Sequence, residues 1–184
     1  MHLDAPTHPV DAPCWLDLAS PEVKRAAAFY GELFGWSYRV DGPEYGNYHT
    51  ALLESGTVAG IGQMQEGAPM PSAWTVYLHT HDVAAAVTSV TQSGAQVIAG
   101  PMEVPFQGHL AIVQDPQGAV FGLWQPTGHT GFGTRNVAGA YGWAEVNVRD
   151  VDAAVAFYTA ITGATSRPLV DPALPGRYEL LTVW

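Results

Sequence analysis

Between Cys14 and Gly35 the spacing of apolar positions changes once. Leu16 and Leu18 alternate with Trp15, Asp17 and Ala19, a period of two that predicts a strand with two unlike faces. From Val23 the spacing becomes helical, with Val23, Ala26, Ala27, Tyr30 and Leu33 or Phe34 on one stripe. Ser20 is expected to cap that helix, Pro21 to open it and Glu22 to sit at its positive end. Gly35 supplies the stop. Trp36–Val40, Tyr48–Glu54 and Thr57–Met64 then read as strands, separated by turns at Asp41-Gly42-Pro43 and Ser55-Gly56. The order is strand, helix, strand, strand, strand.

The same order follows once more. Gly67, Pro69 and Pro71 mark residues 66–72 as a linker. Trp74–His79 predicts a strand, and Asp82–Ser93 a helix capped by Asp82 and ended by Gly94. Gln96–Ala99, His109–Gln114 and Ala119–Gln125 predict three more strands, with Asp115-Pro116-Gln117-Gly118 as a hairpin turn. The two halves are an internal repeat: Gly56, Val58, Gly60 and Gln63 recur as Gly118, Val120, Gly122 and Gln125, always 62 residues on. A third copy starts at Gly142. Trp143–Arg149 is its expected strand, Asp150–Ile161 its helix, and Tyr178–Trp184 a further strand; Ala156-Phe157-Tyr158 repeats Ala28-Phe29-Tyr30. This copy lacks its last strand. The expected layout is a loose tail over 1–12, a paired βαβββ domain over 13–127, a Gly- and Thr-rich linker over 128–141 and an incomplete third module over 142–184.

Composition narrows the function. Seven Lys plus Arg stand against 17 Asp plus Glu, a net charge of −10, which repels nucleic acid and anionic membrane surfaces. Cys14 is the single cysteine, so neither an internal disulfide nor a thiolate metal cluster is possible. Neither a signal peptide nor an apolar run long enough to cross a membrane is visible, so a cytoplasmic protein is expected.

Two tandem βαβββ modules, the Phe29-Tyr30 pair in the first helix and Asp115-Pro116-Gln117-Gly118 before the last strand resemble the vicinal oxygen chelate superfamily. That group holds glyoxalase I, extradiol dioxygenases and the fosfomycin and bleomycin resistance proteins. Trp15-Leu16-Asp17-Leu18, Phe29-Tyr30 and Gly122-Leu123-Trp124-Gln125 look most similar to a multi-module actinobacterial subgroup of glyoxalase-like "hydroxylases". The resemblance implies an α+β fold, with tandem βαβββ modules forming a curved mixed sheet around a cavity. By the same likeness the chain stops inside its third module. An open third module would expose a strand edge and an apolar face, so a homo-oligomer through 142–184 is expected.

In metal-using members of that superfamily, His, Gln or Glu near the start of each module's first strand and Glu in each last strand bind a divalent ion. Here those positions fall on Trp15, Gly60, Gly122 and either Thr75 or Trp74, none of which is a usable ligand, and Trp143 repeats the substitution in the third copy. No metal and no other cofactor is expected. His49, His79, His81 and His109 are read as scattered structural histidines.

Alternation points Trp15, Asp17, Thr75, Tyr77, His79, Gly122 and Trp124 into the cavity and packs Leu16, Leu18, Val76, Leu78, Phe121 and Leu123 under the helices. Trp15, Trp124 and Tyr77 are candidates for stacking a planar ligand, and Gly60, Gly62 and Gly122 for letting it approach the backbone. An inward Asp17 would have a raised pKa and is the candidate general base, with Tyr77 and His109 as weaker catalytic candidates. Glu145 takes the place of Asp17 in the third copy, beside Trp143. Two functions stay open. One is a metal-free binder of a small aromatic or apolar metabolite or antibiotic. The other is an enzyme, a lyase, isomerase, hydroxylase or dioxygenase, using Asp17 or an unrecognised metal site.

Overall fold

The first change of apolar period is realised as β1 (Pro13–Ser20) and α1 (Val23–Phe34). The computed structural model describes residues 8–54, 56–67, 71–171, 173 and 176–183. The start of α1 differs slightly from expectation. Glu22 is the N-cap, and the Ser20 hydroxyl accepts the Glu22 N–H at 3.1 Å, so Ser20 ties the turn that leads into the helix. Gly35 takes the left-handed conformation (φ 73°) and its N–H reaches the Gly31 carbonyl, which closes the helix.

Residues 14–77 and 131–144 form one unit. It contains β1, α1, β2 (Ser37–Val40), β3 (His49–Leu53), β4 (Gly56–Gln63) and most of β5 (Ala73–His79), in the sheet order β2-β3-β4-β1-β5. β1 and β4 run parallel with Asp17 opposite Gly60, whereas β3 is antiparallel to β2 and β4. Leu18 and Ile61 pack with Val23 and Ala27 of α1, and Leu16 packs beside Ala51, Val58, Ala59 and Trp36. Trp15 and Asp17 therefore fall on the other face of β1, as alternation requires.

Residues 1–13, 78–130 and 145–184 form the second unit. Its α2 (Val83–Gln92) is capped by the Asp82 carboxylate, which accepts the Ala84 and Ala85 N–H groups at 2.9 and 3.0 Å. Three antiparallel strands follow in the order β8-β7-β6: β6 (Gln96–Val104), β7 (Gly108–Gln114) and β8 (Val120–Pro126). The Asp115 turn joins β7 to β8, its carboxylate accepting the Gln117 and Ala119 N–H groups at 2.8 Å each. Phe121 and Leu123 pack with Ala111, Val113, Val83 and Val90. The third copy contributes α3 (Val151–Thr162) and an antiparallel pair, β9 (Thr165–Leu169) with β10 (Tyr178–Thr182). The class is α+β with tandem βαβββ modules.

Four expectations need correction. Residues 8–12 are not a loose tail: His8 is buried, the Asp11 N–H donates to the His79 carbonyl and the His79 N–H to the Ala12 carbonyl. Residues 1–7, Ser55 and Trp184 lie outside the described residues. The stretch 131–141 is no free linker, because Phe132 N–H bonds the Cys14 carbonyl, Gly133 and Thr134 N–H bond Thr57, and the Trp36 indole bonds the Gly139 carbonyl. Residues 143–149 run without strand pairing. Finally, α3 finds its cover inside the chain. Phe157 is buried in the second unit's core, Tyr158 donates to Asp115 at 3.0 Å, and Gln117 accepts the N–H groups of Arg149 and Asp150. The apolar face expected to stand open over 142–184 is thus covered along α3. β9, which contains Pro168, was hidden in the sequence because proline suits only an edge strand.

Candidate functional site

β1 sends Trp15 and Asp17 to the face away from α1, and β5 sends Tyr77 to the same place. The Tyr77 hydroxyl donates to the Asp17 carboxylate at 3.2 Å. From just before β3, the Tyr48 hydroxyl donates to the same oxygen at 3.4 Å. The Trp15 indole N–H in turn donates to the Tyr48 hydroxyl at 3.1 Å. An acid is thus held by two phenols, with an indole behind one of them, all within the first unit.

Gly60 explains how Tyr48 fits. Tyr48 precedes Thr50 by two, and Thr50 pairs with Gly60, so all three share one face of the sheet. A Cβ on Gly60 would overlap the Tyr48 hydroxyl, and one on Gly62 would stand 3.4 Å from its ring. Gly60 therefore seats a side chain of this protein. On the other side Trp15 meets Phe132 at 5.6 Å between ring centroids, and Phe132 stacks on Tyr141 at 4.6 Å. The wall is aromatic and its rings hold one another in place.

Electrostatics follow from burial. Loss of hydration pushes the Asp17 carboxyl up to about 6, against the two phenol hydrogen bonds that favour its charged form. Burial, with the Asp17 charge added, pushes the Tyr48 and Tyr77 hydroxyls well above 10, so both remain neutral donors. Burial also pushes the Cys14 thiol to about 12, which makes it a packing group rather than a nucleophile.

The other candidates divide. Thr75 lies two residues before Tyr77 on the same face, while Trp74 packs with Tyr30 on the α1 side, its indole donating to that hydroxyl at 3.0 Å. Thr75, and not Trp74, therefore shares the face of Tyr77. Gly122 and Trp124 belong to β8 in the second unit. Trp124 is buried, its indole bonds the His129 carbonyl at 2.8 Å, and a side chain on Gly108 would meet its ring at 2.7 Å. His109 pairs with Gln125, whose side chain accepts the first N–H of α2, so it stands on the helix face with Ala111 and Leu123 and not on the face of Trp124. Trp143 and Glu145 are exposed in the stretch 143–149, which is not a strand, so the expected likeness of Glu145 to Asp17 has no strand to realise it.

Two residues went unassigned in the sequence. Tyr48 was legible by alternation with Thr50 once β3 was placed. Phe132, between Gly131 and Gly133, gave no periodic signal.

The donor set does not suit the metal implied by the resemblance. Trp15, Gly60, Thr75 and Gly122 offer neither carboxylate nor imidazole, and the space over Gly60 holds a phenol. Among the described residues no group of three or more His, Cys, Asp and Glu side chains could hold a metal ion. No helix of the described residues is long and apolar enough to cross a membrane.

Residues 13–123 match the family model described as Glyoxalase/Bleomycin resistance protein/Dioxygenase superfamily. The chain is 36% identical to "Anthracycline biosynthesis protein DauV" of Streptomyces sp. (strain C5), over 83% of this chain and 60% of that protein. It is 38% identical to "Putative glyoxylase CFP32" of Mycobacterium tuberculosis, with the same coverage of 83% and 60%. The chain thus spans less than two thirds of the length of these curated relatives. Among solved structures, a variant of homoprotocatechuate 2,3-dioxygenase from B. fuscum superposes with a TM-score of 0.60 at 14% identity, over 95% of this chain and 51% of that one. At that identity the likeness concerns the fold.

Proposed function

The chain belongs to the Glyoxalase/Bleomycin resistance protein/Dioxygenase superfamily, and on that premise we propose that its first module binds a small, planar, aromatic or apolar metabolite or antibiotic against Trp15 and beside Asp17, without a metal ion. One observation carries this reading: the Asp17 carboxyl is held by two neutral phenols inside an aromatic wall. Rings supply stacking and apolar burial, and the carboxyl supplies one oriented polar contact. A relative named for anthracycline biosynthesis accords with a fused-ring planar ligand.

The test is a fluorescence titration with an anthracycline as the planar probe. Trp15→Leu is expected to lose most of the affinity with its circular dichroism unchanged. Asp17→Asn is expected to hold affinity within a few-fold. Unchanged binding by Trp15→Leu would overturn the assignment.

The position of Asp17 near pKa 6 favours one second reading. A carboxyl that is largely ionised at neutral pH, yet desolvated, suits a general base that draws a proton from a substrate C–H or O–H. The product would be that of an isomerase or lyase. Mass spectrometry of what co-purifies with the protein names the substrate to assay. Loss of its turnover in Asp17→Asn, with binding kept, would replace the binder by the enzyme.

A further inference from the structure

The second unit contains a cleft that the proposed site does not use. It encloses about 330 Å³ between the start of β5's exit, α2 and the end of α3. Its floor is apolar: Leu78, Val90, Leu123 and Ile161. Its rim carries Asp11 and His81. The floor is held by packing already described. Phe157 of α3 lies 6.4 Å from Phe121 of β8, and Gln117 and Asp115 clamp both the entry and the body of α3. The cleft is thus preformed within its own unit, which lowers the cost of filling it.

Asp11 is the unusual group. Its backbone is left-handed (φ 64°), a conformation that costs a non-glycine residue about 1 kcal/mol. Backbone bonds on both sides of His79 hold it there. Its carboxylate makes no hydrogen bond to any other described residue. Burial pushes that carboxyl up, while the charges of His79 and His81 pull it down. The other acid on the rim, Asp82, is committed to the first N–H groups of α2. Asp11 therefore faces the cleft as a half-desolvated anion without a hydrogen-bond partner among the described residues, above an apolar floor. Metal is a poor occupant, since no ligand group of three or more exists among the described residues. A cation with an apolar body suits both features, because the charge meets Asp11 and the body covers Leu78, Leu123 and Ile161. The protein's net charge of −10 favours the approach of such a ligand.

We propose that this cleft is a second small-molecule site, selective for a primary amine carried on a ring-sized apolar group, with Asp11 as the anionic contact.

Benzylamine and its neutral analogue benzyl alcohol are the probes, followed by ¹H–¹⁵N spectra of the full chain. Benzylamine is expected to give saturable shifts at Leu78, Ala85 and Ile161. Benzyl alcohol is expected to bind about tenfold more weakly, and Asp11→Asn to remove that difference. Ala85 is exposed on the wall of the cleft, so Ala85→Phe fills it without entering the core and is expected to abolish the shifts while the rest of the spectrum is kept. Four results would each overturn the proposal: no saturable shift, equal affinity for the two probes, a preference that survives Asp11→Asn, or binding that survives Ala85→Phe.

Discussion

Asp17 and Asp115 both accept a hydrogen bond from a tyrosine, and their roles are opposite. Asp115, in the second unit, also accepts two backbone N–H groups at 2.8 Å, so its charge is spread over the turn that it builds. Asp17, in the first unit, accepts from the hydroxyls of Tyr48 and Tyr77, at 3.4 and 3.2 Å, and from no backbone N–H among the described residues. Backbone amides are fixed dipoles that reward an anion; phenols at these distances offset less of the lost hydration. One carboxylate therefore builds a turn, whereas the other keeps a raised proton affinity. The position of a buried acid in a chain is less informative than the donors it meets.

The largest expected effect comes from breaking the structural member of the pair. Asp115→Ala removes the carboxylate that accepts two backbone N–H groups and the Tyr158 hydroxyl, and should cost about 3 kcal/mol in denaturant unfolding, with α3 loosened from its unit. A loss under about 0.5 kcal/mol would show that the turn is held by other means. The next effect tests how Asp17 acquires its donor. Gly60→Ala places a methyl group on the Tyr48 hydroxyl and should destabilise by about 2 kcal/mol, an effect mostly removed by adding Tyr48→Ala; additive losses would show that the two residues are uncoupled.

Protonation gives a smaller effect of definite sign. The folded Asp17 pKa, about 6, lies above its ordinary value of 3.8, so the folded state binds the proton more tightly than the unfolded chain. This contribution to stability is fully present below about pH 4 and is lost as pH rises through 6, by roughly 1–2 kcal/mol after allowance for partial exposure. Asp17→Asn should flatten that part of the stability profile, and an unchanged slope between pH 4 and 6 would remove Asp17 as its cause. The smallest effect is a shift of midpoint. Tyr77→Phe deletes a donor that favours the anion, so the Asp17 carboxyl resonance should titrate at higher pH than in the parent; a downward move would contradict the hydrogen bond.

Much of the fold was legible because its signals are local. Period two placed Trp15 and Asp17 on one face of β1, and Asp82, Gly35 and the Asp115 turn carry their own punctuation. Glycine repeats tied β4 to β8. The candidate site was legible only in part. Asp17, Tyr77 and Trp15 meet as alternation implied, but Tyr48 and Phe132 come from a loop edge and an aperiodic stretch. His109 failed for a different reason: period two says which residues share a face, and only its pairing with Gln125 shows that the face is the one under α2. Trp143 and Glu145 are not realised as a strand, because period two describes a face only where a neighbouring strand pairs with the stretch, and 143–149 carries no strand pairing.

The sequence by itself determined the two βαβββ modules and the superfamily resemblance, and it put Trp15 and Gly60 where that resemblance expects metal-binding side chains, since these depend on residue type and spacing along the chain. Tertiary structure alone decided what surrounds those two residues. It seats the Tyr48 phenol over Gly60 and Phe132 against Trp15, and it sends α3 into the second unit's core. Those outcomes depend on volume and on hydrogen-bond donors brought together from distant parts of the chain, and no periodicity records them.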